Sequence, residues 1–271
     1  MSSPIQWPSQ AIWEAVVAQL PGFSVEVLPQ IDSTNSELMR RARAGRLEPV
    51  LLVAEHQTAG RGRLGRQWHS EADARAREPA GGALTFSLGL ALAPLDWSGL
   101  SLAAGLSVVN SLHPDLRLKW PNDVWLQERK LAGILIETAS VGDSAATRYA
   151  VVGVGVNLGP RAAAGLATPP AWLREVLPGI DAPQALLRMA APLVQTILAF
   201  EARGFAPLQS RFNALDALGG LPVTLSDGLQ GTAQGVDAMG ALRVQTAQGL
   251  QCISSAEVSV RLLDPPPYSH L

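Results

Sequence analysis

Gly60-Arg61-Gly62-Arg63-Leu64-Gly65-Arg66-Gln67-Trp68 sets three guanidinium groups on a backbone with three glycines and ends in an indole. Glycine lets a main chain turn tightly or approach a ligand closely. Arginine offers planar, bidentate donors to phosphate or carboxylate. The stretch suits an anionic ligand that carries a flat ring, although in isolation such a run equally describes a solvated basic turn. Its neighbours decide between the two. Val50 to Glu55 before it is a buried-looking strand, and Ala83 to Leu92 after it alternates apolar with small residues as a strand does. Between the loop and the second strand, Glu71 to Gly82 is polar and small, and reads as a mobile excursion.

Further out, Ser9 to Leu20 reads as a helix closed by Pro21-Gly22, and Ser24 to Leu28 as a strand. A second helix opens at Asp32-Ser33-Thr34-Asn35-Ser36-Glu37, with Thr34 and Glu37 at capping-box spacing and Gly45 as its stop. Gly99 to Leu112 reads as a packed helix and Leu116 to Trp120 as a strand broken by Pro121. Val124 to Leu126 and Leu131 to Glu137 form a hairpin turning at Glu128-Arg129, followed by a strand over Tyr149 to Val156. Pro183 to Arg203 and Phe205 to Leu218 have helical period, with Pro192 placed to kink the first. From Gly219 the texture changes to short β-like pieces (222–225, 231–236, 241–246, 249–253, 258–262), the spacing of a small barrel. The prolines at 265–267 belong to a loose tail. The expected organisation is strands and helices over residues 1–218, a small β-barrel over 219–265, and a tail over 266–271.

Composition narrows the class. The chain has 271 residues, 47% of them hydrophobic, enough for a full core. A formal charge of −2 and an isoelectric point near 6.1 argue against a general nucleic-acid or membrane-surface binder, so the basicity of the loop is local. One cysteine, Cys252, excludes an internal disulfide framework and fits a reducing cytoplasm. The first residues lack a secretory pattern, and no uninterrupted apolar run approaches the ~20 residues of a membrane span.

Several short constellations carry chemistry. Ser33-Thr34-Asn35 at a helix start offers hydroxyls, an amide and unpaired N–H groups. It is either a plain N-cap or a cradle for a neutral group such as a urea, to which Gln57 adds an amide. Lys119-Trp120-Pro121-Asn122-Asp123 and Lys130 bracket a turn with two ammonium groups suited to phosphate or carboxylate. Asp123 there orients a lysine, holds Mg²⁺ or closes an Asx turn. Gly153-Val154-Gly155-Val156-Asn157 lacks dinucleotide-fold spacing. The four histidines show no metal-ligand spacing, and no serine sits in a nucleophile elbow.

Taken in order, these segments resemble the biotin–protein ligase family: Asp32 to Asn35, Gln57 to Arg63 with Trp68, Lys119 to Asp123, Lys130 to Leu135, and Gly153 to Asn157. The similarity is dense from residue 24 to residue 160 and weaker beyond. The Gly-Arg-Gly-Arg loop and the Lys-Trp-Pro-Asn-Asp run point to the biotin branch and away from the related lipoate ligases. The resemblance implies an α+β fold, with a mixed, class II synthetase-like catalytic β-sheet flanked by helices and followed by a small SH3-like β-barrel. It implies a two-step reaction with ATP and Mg²⁺, in which biotinyl-5′-AMP forms and biotin passes to a lysine of the biotin carboxyl carrier protein of acetyl-CoA carboxylase.

By that pattern Ser33, Thr34, Asn35, Gln57, Arg61, Gly62, Arg63, Lys130 and Gly133 would bind biotin. Trp68, Lys119, Asn122, Asp123 and Asn157 would serve the nucleotide, and Arg63, Lys119 and Lys130 would be catalytic. Metal ligands other than the candidate Asp123 are unassigned. The glycine loop is expected to be mobile without ligand and ordered with it. Only 31 residues precede Asp32, too few for a winged helix-turn-helix, so a cytoplasmic ligase without operator or membrane binding is expected, as monomer or dimer. The excursion at 71–82 is longer than the family pattern, and His69 stands where an apolar or aromatic residue is expected. The alternatives are a lipoate–protein ligase, a non-catalytic biotin-binding protein, and a ligand-sensing regulator.

Overall fold

The protein is described by a computed structural model covering residues 5–68, 82–141, 144–161, 168–254 and 260–263. The excursion at 71–81, His69 and the proline tail lie outside the described residues.

The chain begins α1 (Ser9–Val16), β1 (Ser24–Ile31), α2 (Thr34–Arg43), β2 (Val50–Gln57) and β3 (Ala83–Leu92). It continues α3 (Leu100–Leu112), β4 (Arg117–Lys119), β5 (Asp123–Leu126), β6 (Arg129–Val141) and β7 (Ser144–Asn157). These strands form one sheet in the order β1-β2-β3-β7-β6-β5-β4. β1 and β2 pair in parallel and every other pairing is antiparallel, so the sheet is mixed as expected.

β3 shows why the sheet has two unlike faces. Its even positions Leu84, Phe86, Leu88, Leu90 and Leu92 enter the main core, while the odd positions Ala83, Thr85, Ser87 and Gly89 are small or polar. The apolar face is covered by α1, α3 and α4 (Ala182–Arg203), and each fully buried leucine or phenylalanine there is worth about 1.5–3 kcal/mol. α2 packs on the opposite face with a smaller cluster of Leu38, Met39, Ala42, Leu52, Tyr149 and Val151. One helix cannot cover that whole face, and the part beyond its N-terminus is left for the site.

Several local expectations are corrected. The cap of α2 is Ser33, not Thr34: Ser33 Oγ accepts from Ser36 N, and Glu37 is drawn instead to Arg40 and Arg41. The β5–β6 turn falls at Gln127-Glu128, one residue early, with both residues at positive φ (48° and 61°) as a two-residue hairpin twist demands. Residues 205–218 are not one helix but a 3-10 turn (Ala206–Leu208) followed by α5 (Gln209–Leu215). α4 runs through Pro192 and, among the described residues, is long and apolar enough to cross a membrane by length and composition. The apolar-run argument missed it because Arg188 and Glu201 interrupt the sequence. Its Leu186, Met189, Leu193, Ile197 and Phe200 lie in the core, as the helical period requires.

The C-terminal strands β8 (Pro222–Leu225), β9 (Gln230–Val236), β10 (Leu242–Thr246), β11 (Gly249–Ile253) and β12 (Val260–Leu262) pair in the order β11-β10-β9-β8-β12. Among the described residues β11 and β12 do not pair with each other, so the expected barrel is an open five-stranded antiparallel sheet. It leans on the larger layer through Trp120, fully buried, whose indole N–H donates to Gly240 O at 3.1 Å. Val223, Leu225, Val236 and Val244 belong to the same core cluster as α3 and β3.

Candidate active site

Sheet register aligns the site. Lys119 of β4 pairs with Asp123 of β5, Asp123 with Gly133 of β6, Gly133 with Gly155 of β7, and Gly155 with Thr85 of β3. The next row on the same face is Leu135, Gly153 and Ser87. Because side chains on one face recur every second residue, these two rows lie about 7 Å apart. Each holds one half of the site.

The first half is a neutral cradle. Thr34, Asn35, Gln57 and Ser87 are all buried. Gln57 Oε1 accepts the backbone N–H of Thr34 at 2.7 Å. Ser87 Oγ donates to Asn35 Oδ1 at 2.6 Å, which leaves its lone pair to accept from the Thr34 hydroxyl at 2.7 Å. Thr34 Oγ1 also lies 3.2 Å from Gln57 Oε1, but one hydroxyl proton cannot serve both, and the shorter contact takes it. Asn35 Nδ2 donates to Glu137 Oε2 at 3.0 Å. The cradle exists because Gly153 has no Cβ: one placed there would stand 2.1 Å from Asn35 Oδ1.

The second half is cationic. Lys130 Nζ stands 2.7 Å from the buried Asp123 Oδ1, a charge contact without hydrogen-bond alignment. Lys119 packs its ammonium over Trp125, 5.3 Å from the ring centroid. Burial holds the Lys119 ammonium below the usual lysine range; Asp123 opposes that shift, and Lys130, Arg66 and Arg261 of β12 add to it. Burial likewise lowers Arg63, with Asp123 opposing. Arg63 Nη1 is 3.5 Å from Asn122 Oδ1, and Asn122 Nδ2 donates to Ile134 O at 2.8 Å.

The arginine loop covers both halves. Trp68 N bonds Gly60 O, Gly62 N bonds Arg66 O, and Arg61 pairs with Gln67, so residues 60–68 close as a small hairpin. A 3-10 turn over Arg63–Gly65 forms its tip, with Leu64 at φ 56° and Gly65 at φ 71°. Arg61 reaches Glu137 at 3.0 Å. The Trp68 indole lies on the glycine floor, where a Cβ on Gly155 would be 2.5 Å from the ring. Its Nε1 is buried and lacks a partner among the described residues.

Every site residue expected from sequence lies in or beneath this face. Two of them are committed to the frame. Asn157 spends its amide on Lys130 O and Ala171 O and accepts from Arg161, and Ser33 caps α2, so both hold elements in place. Sequence reasoning missed Ser87, Glu137, Arg161 and Arg261. Arg161 stacks over Trp68 at 5.3 Å, and burial brings its guanidinium down to about 10, still charged at neutral pH. The hydroxyl of Ser87, like that of Thr85, interrupts an apolar strand without marking a site, and the acid at 137 is equally unmarked. Among the described residues no three His, Cys, Asp or Glu side chains gather as a metal site, at Asp123 or elsewhere.

A neutral amide–hydroxyl cradle beside a cationic row, both under an arginine hairpin on a glycine floor, has the chemistry to suit an uncharged polar ring and an anion end to end. Residues 27–157 match the biotin/lipoate A/B protein ligase family and residues 212–261 the biotin protein ligase C-terminal domain, and the chain belongs to that ligase family.

Among its relatives, the bifunctional ligase/repressor BirA of Escherichia coli is 40% identical over 222 residues. That match covers 78% of this chain but 64% of the relative, so the chain spans less than two thirds of it. The biotin–[acetyl-CoA-carboxylase] ligase of Paracoccus denitrificans is 34% identical over 250 residues, covering 86% of this chain and 98% of the relative. The biotin protein ligase from Aquifex aeolicus in complex with biotin and ATP superposes with a TM-score of 0.73 at 27% identity, covering 88% of this chain and 99% of that one.

Proposed function

We propose that the chain activates biotin with MgATP and transfers it to a lysine of a biotin carboxyl carrier protein, such as that of acetyl-CoA carboxylase. The observation that carries the reading is the end-to-end placement of the neutral cradle and the cationic row. The cradle of Thr34, Asn35 and Gln57 suits a ureido ring. The row of Arg63, Lys119 and Lys130 lies where the acid and the nucleotide meet.

A carboxylate is a poor acyl donor because its oxide is a poor leaving group. Its oxygen attacks the α-phosphorus of ATP, the α–β bridging P–O bond breaks, and pyrophosphate leaves with the electron pair. The amine of the carrier lysine then attacks the acyl carbon, AMP leaves with the bridging oxygen, and the amine's proton is lost to solvent. Both steps concentrate negative charge on phosphate, which preorganised cations stabilise. Mg²⁺ would enter as part of the nucleotide substrate.

In this reading residues 1–218 supply the catalysis and 219–265 buttress it. In the same reading the activity belongs to the cytoplasm. The test is biotin-dependent ATP–pyrophosphate exchange, with lipoate as control. Exchange that requires biotin supports the reading, exchange only with lipoate transfers it to the lipoate branch, and no exchange by folded protein leaves a vitamin-binding protein.

A further inference from the structure

One carboxylate joins the two halves of the site. Glu137 lies on β6 opposite Val151, next along the face from the Leu135–Gly153 pair. Its Oε1 is 3.0 Å from Arg61 Nη1 in the hairpin, and its Oε2 accepts from Asn35 Nδ2 at 3.0 Å. Through Asn35 the chain of bonds continues to Ser87, Thr34 and Gln57. A neutral acceptor at 137 would satisfy Asn35 alone. A carboxylate also neutralises Arg61, and its side chain is largely covered (20% exposed) where the arginine's is half in solvent (49%).

We propose that Glu137 is a positioning residue that couples the amide cradle to closure of the arginine hairpin, an inference that rests on the ligase reading above for its catalytic consequence. A ring that hydrogen-bonds in the cradle fixes Asn35, Asn35 fixes one oxygen of Glu137, and the other oxygen holds Arg61 and with it the hairpin that carries Arg63 and Trp68. The same carboxylate stands in for an anion. When an acyl phosphate forms, its oxygens compete with Glu137 for Arg61, and the hairpin changes partner without losing its charge pairing.

Glu137→Gln keeps an acceptor for Asn35 and removes the charge opposite Arg61, so it separates coupling from packing. Two readouts on the full-length protein decide. Hydrogen exchange of the amides of residues 60–68, measured without substrate, should speed up about tenfold in Glu137→Gln and in Asn35→Ala, while β7 amides stay protected as proof of folding. That readout needs no turnover and stands even if the ligase reading fails. In wild type that shows biotin-dependent exchange, Glu137→Gln should release biotinyl adenylate about tenfold faster while pyrophosphate exchange at saturation falls less than threefold. The Arg61→Ala/Glu137→Gln double variant should leak no faster than Arg61→Ala alone. Unchanged hairpin exchange in Glu137→Gln, or additive leakage in the double variant, overturns the coupling. Wild type that shows no biotin-dependent exchange overturns the ligase reading and leaves hydrogen exchange to decide the coupling.

Discussion

Arg63 occupies the position where the hairpin meets the cationic row, half-buried, with Asn122 and Asp123 as neighbours. In the proposed reaction its replacement by alanine would remove a preorganised donor from the reacting phosphate. Such donors are worth about 10²–10³ in rate, so biotin-dependent pyrophosphate exchange by Arg63→Ala should fall by roughly that factor, with adenylate appearing free in solution. A loss below about threefold would move the main anion contact to Lys119 or Lys130. At this scale the sequence was a good guide, because Arg63, Lys119, Asp123 and Lys130 sit in short runs dense in charge and glycine. Glu137, Ser87, Arg161 and Arg261 were not legible. Each stands on or beside a strand amid ordinary neighbours, and only sheet register or the return of β12 brings it to the site.

The element that shapes the site is β7, whose Gly153 and Gly155 face the cradle and the Trp68 indole in turn. A methyl group at Gly155 would stand 2.5 Å from the indole, against a side chain that is itself wedged under Arg161. Gly155→Ala should therefore displace Trp68, seen as a red shift of tryptophan emission and a rise of about tenfold in the KM for ATP, with the biotin KM changed less. Equal loss toward both substrates would show that β7 itself had moved. Strand alternation in β3 was readable because one apolar face forces the period, and α3 because ten of its thirteen residues are buried, which demands an apolar run throughout. Boundaries and turns were not. The Gln127-Glu128 turn uses residues with no preference for positive φ, and Thr34 was read as a cap although its hydroxyl serves the buried network while Ser33 caps the helix.

Over the whole molecule, the open C-terminal sheet shares its core with the catalytic layer, and Asp216 lies at that junction. Leu218 N donates to its Oδ1, but Oδ2 is buried without a partner among the described residues. Burial raises this carboxyl from 3.8 to about 6, with the Leu218 bond opposing. Between those values the folded protein holds a proton that the unfolded chain has lost, so stability contributed by this group falls as pH rises from about 4 to 6. Asp216→Asn keeps the Leu218 acceptor and should stabilise the protein by roughly 1–3 kcal/mol at pH 7.5 and by nothing at pH 4, measured by urea unfolding at both. A gain of equal size at both pH values would assign the effect to packing. The sequence announced a change of texture at residue 219 but not this shared core, because contacts such as Trp120 to Gly240 join residues far apart in the chain.

The crowding of Arg63, Arg66, Lys119 and Lys130 around the single Asp123 carboxylate has a consequence for encounter as well as for chemistry. The chain as a whole carries only −2, so the local cluster, more than the net charge, sets the field that a polyanion meets as it nears the site. Mobile ions screen attraction that acts over more than a Debye length, about 10 Å at 0.1 M and about 3 Å at 1 M, so added salt confines the pull of these cations to the site itself. Raising sodium chloride across that range should slow ATP association steeply and biotin association slightly in stopped-flow measurements, the gap following the charges of the two molecules. Equal slopes would mean that the cations act only after contact.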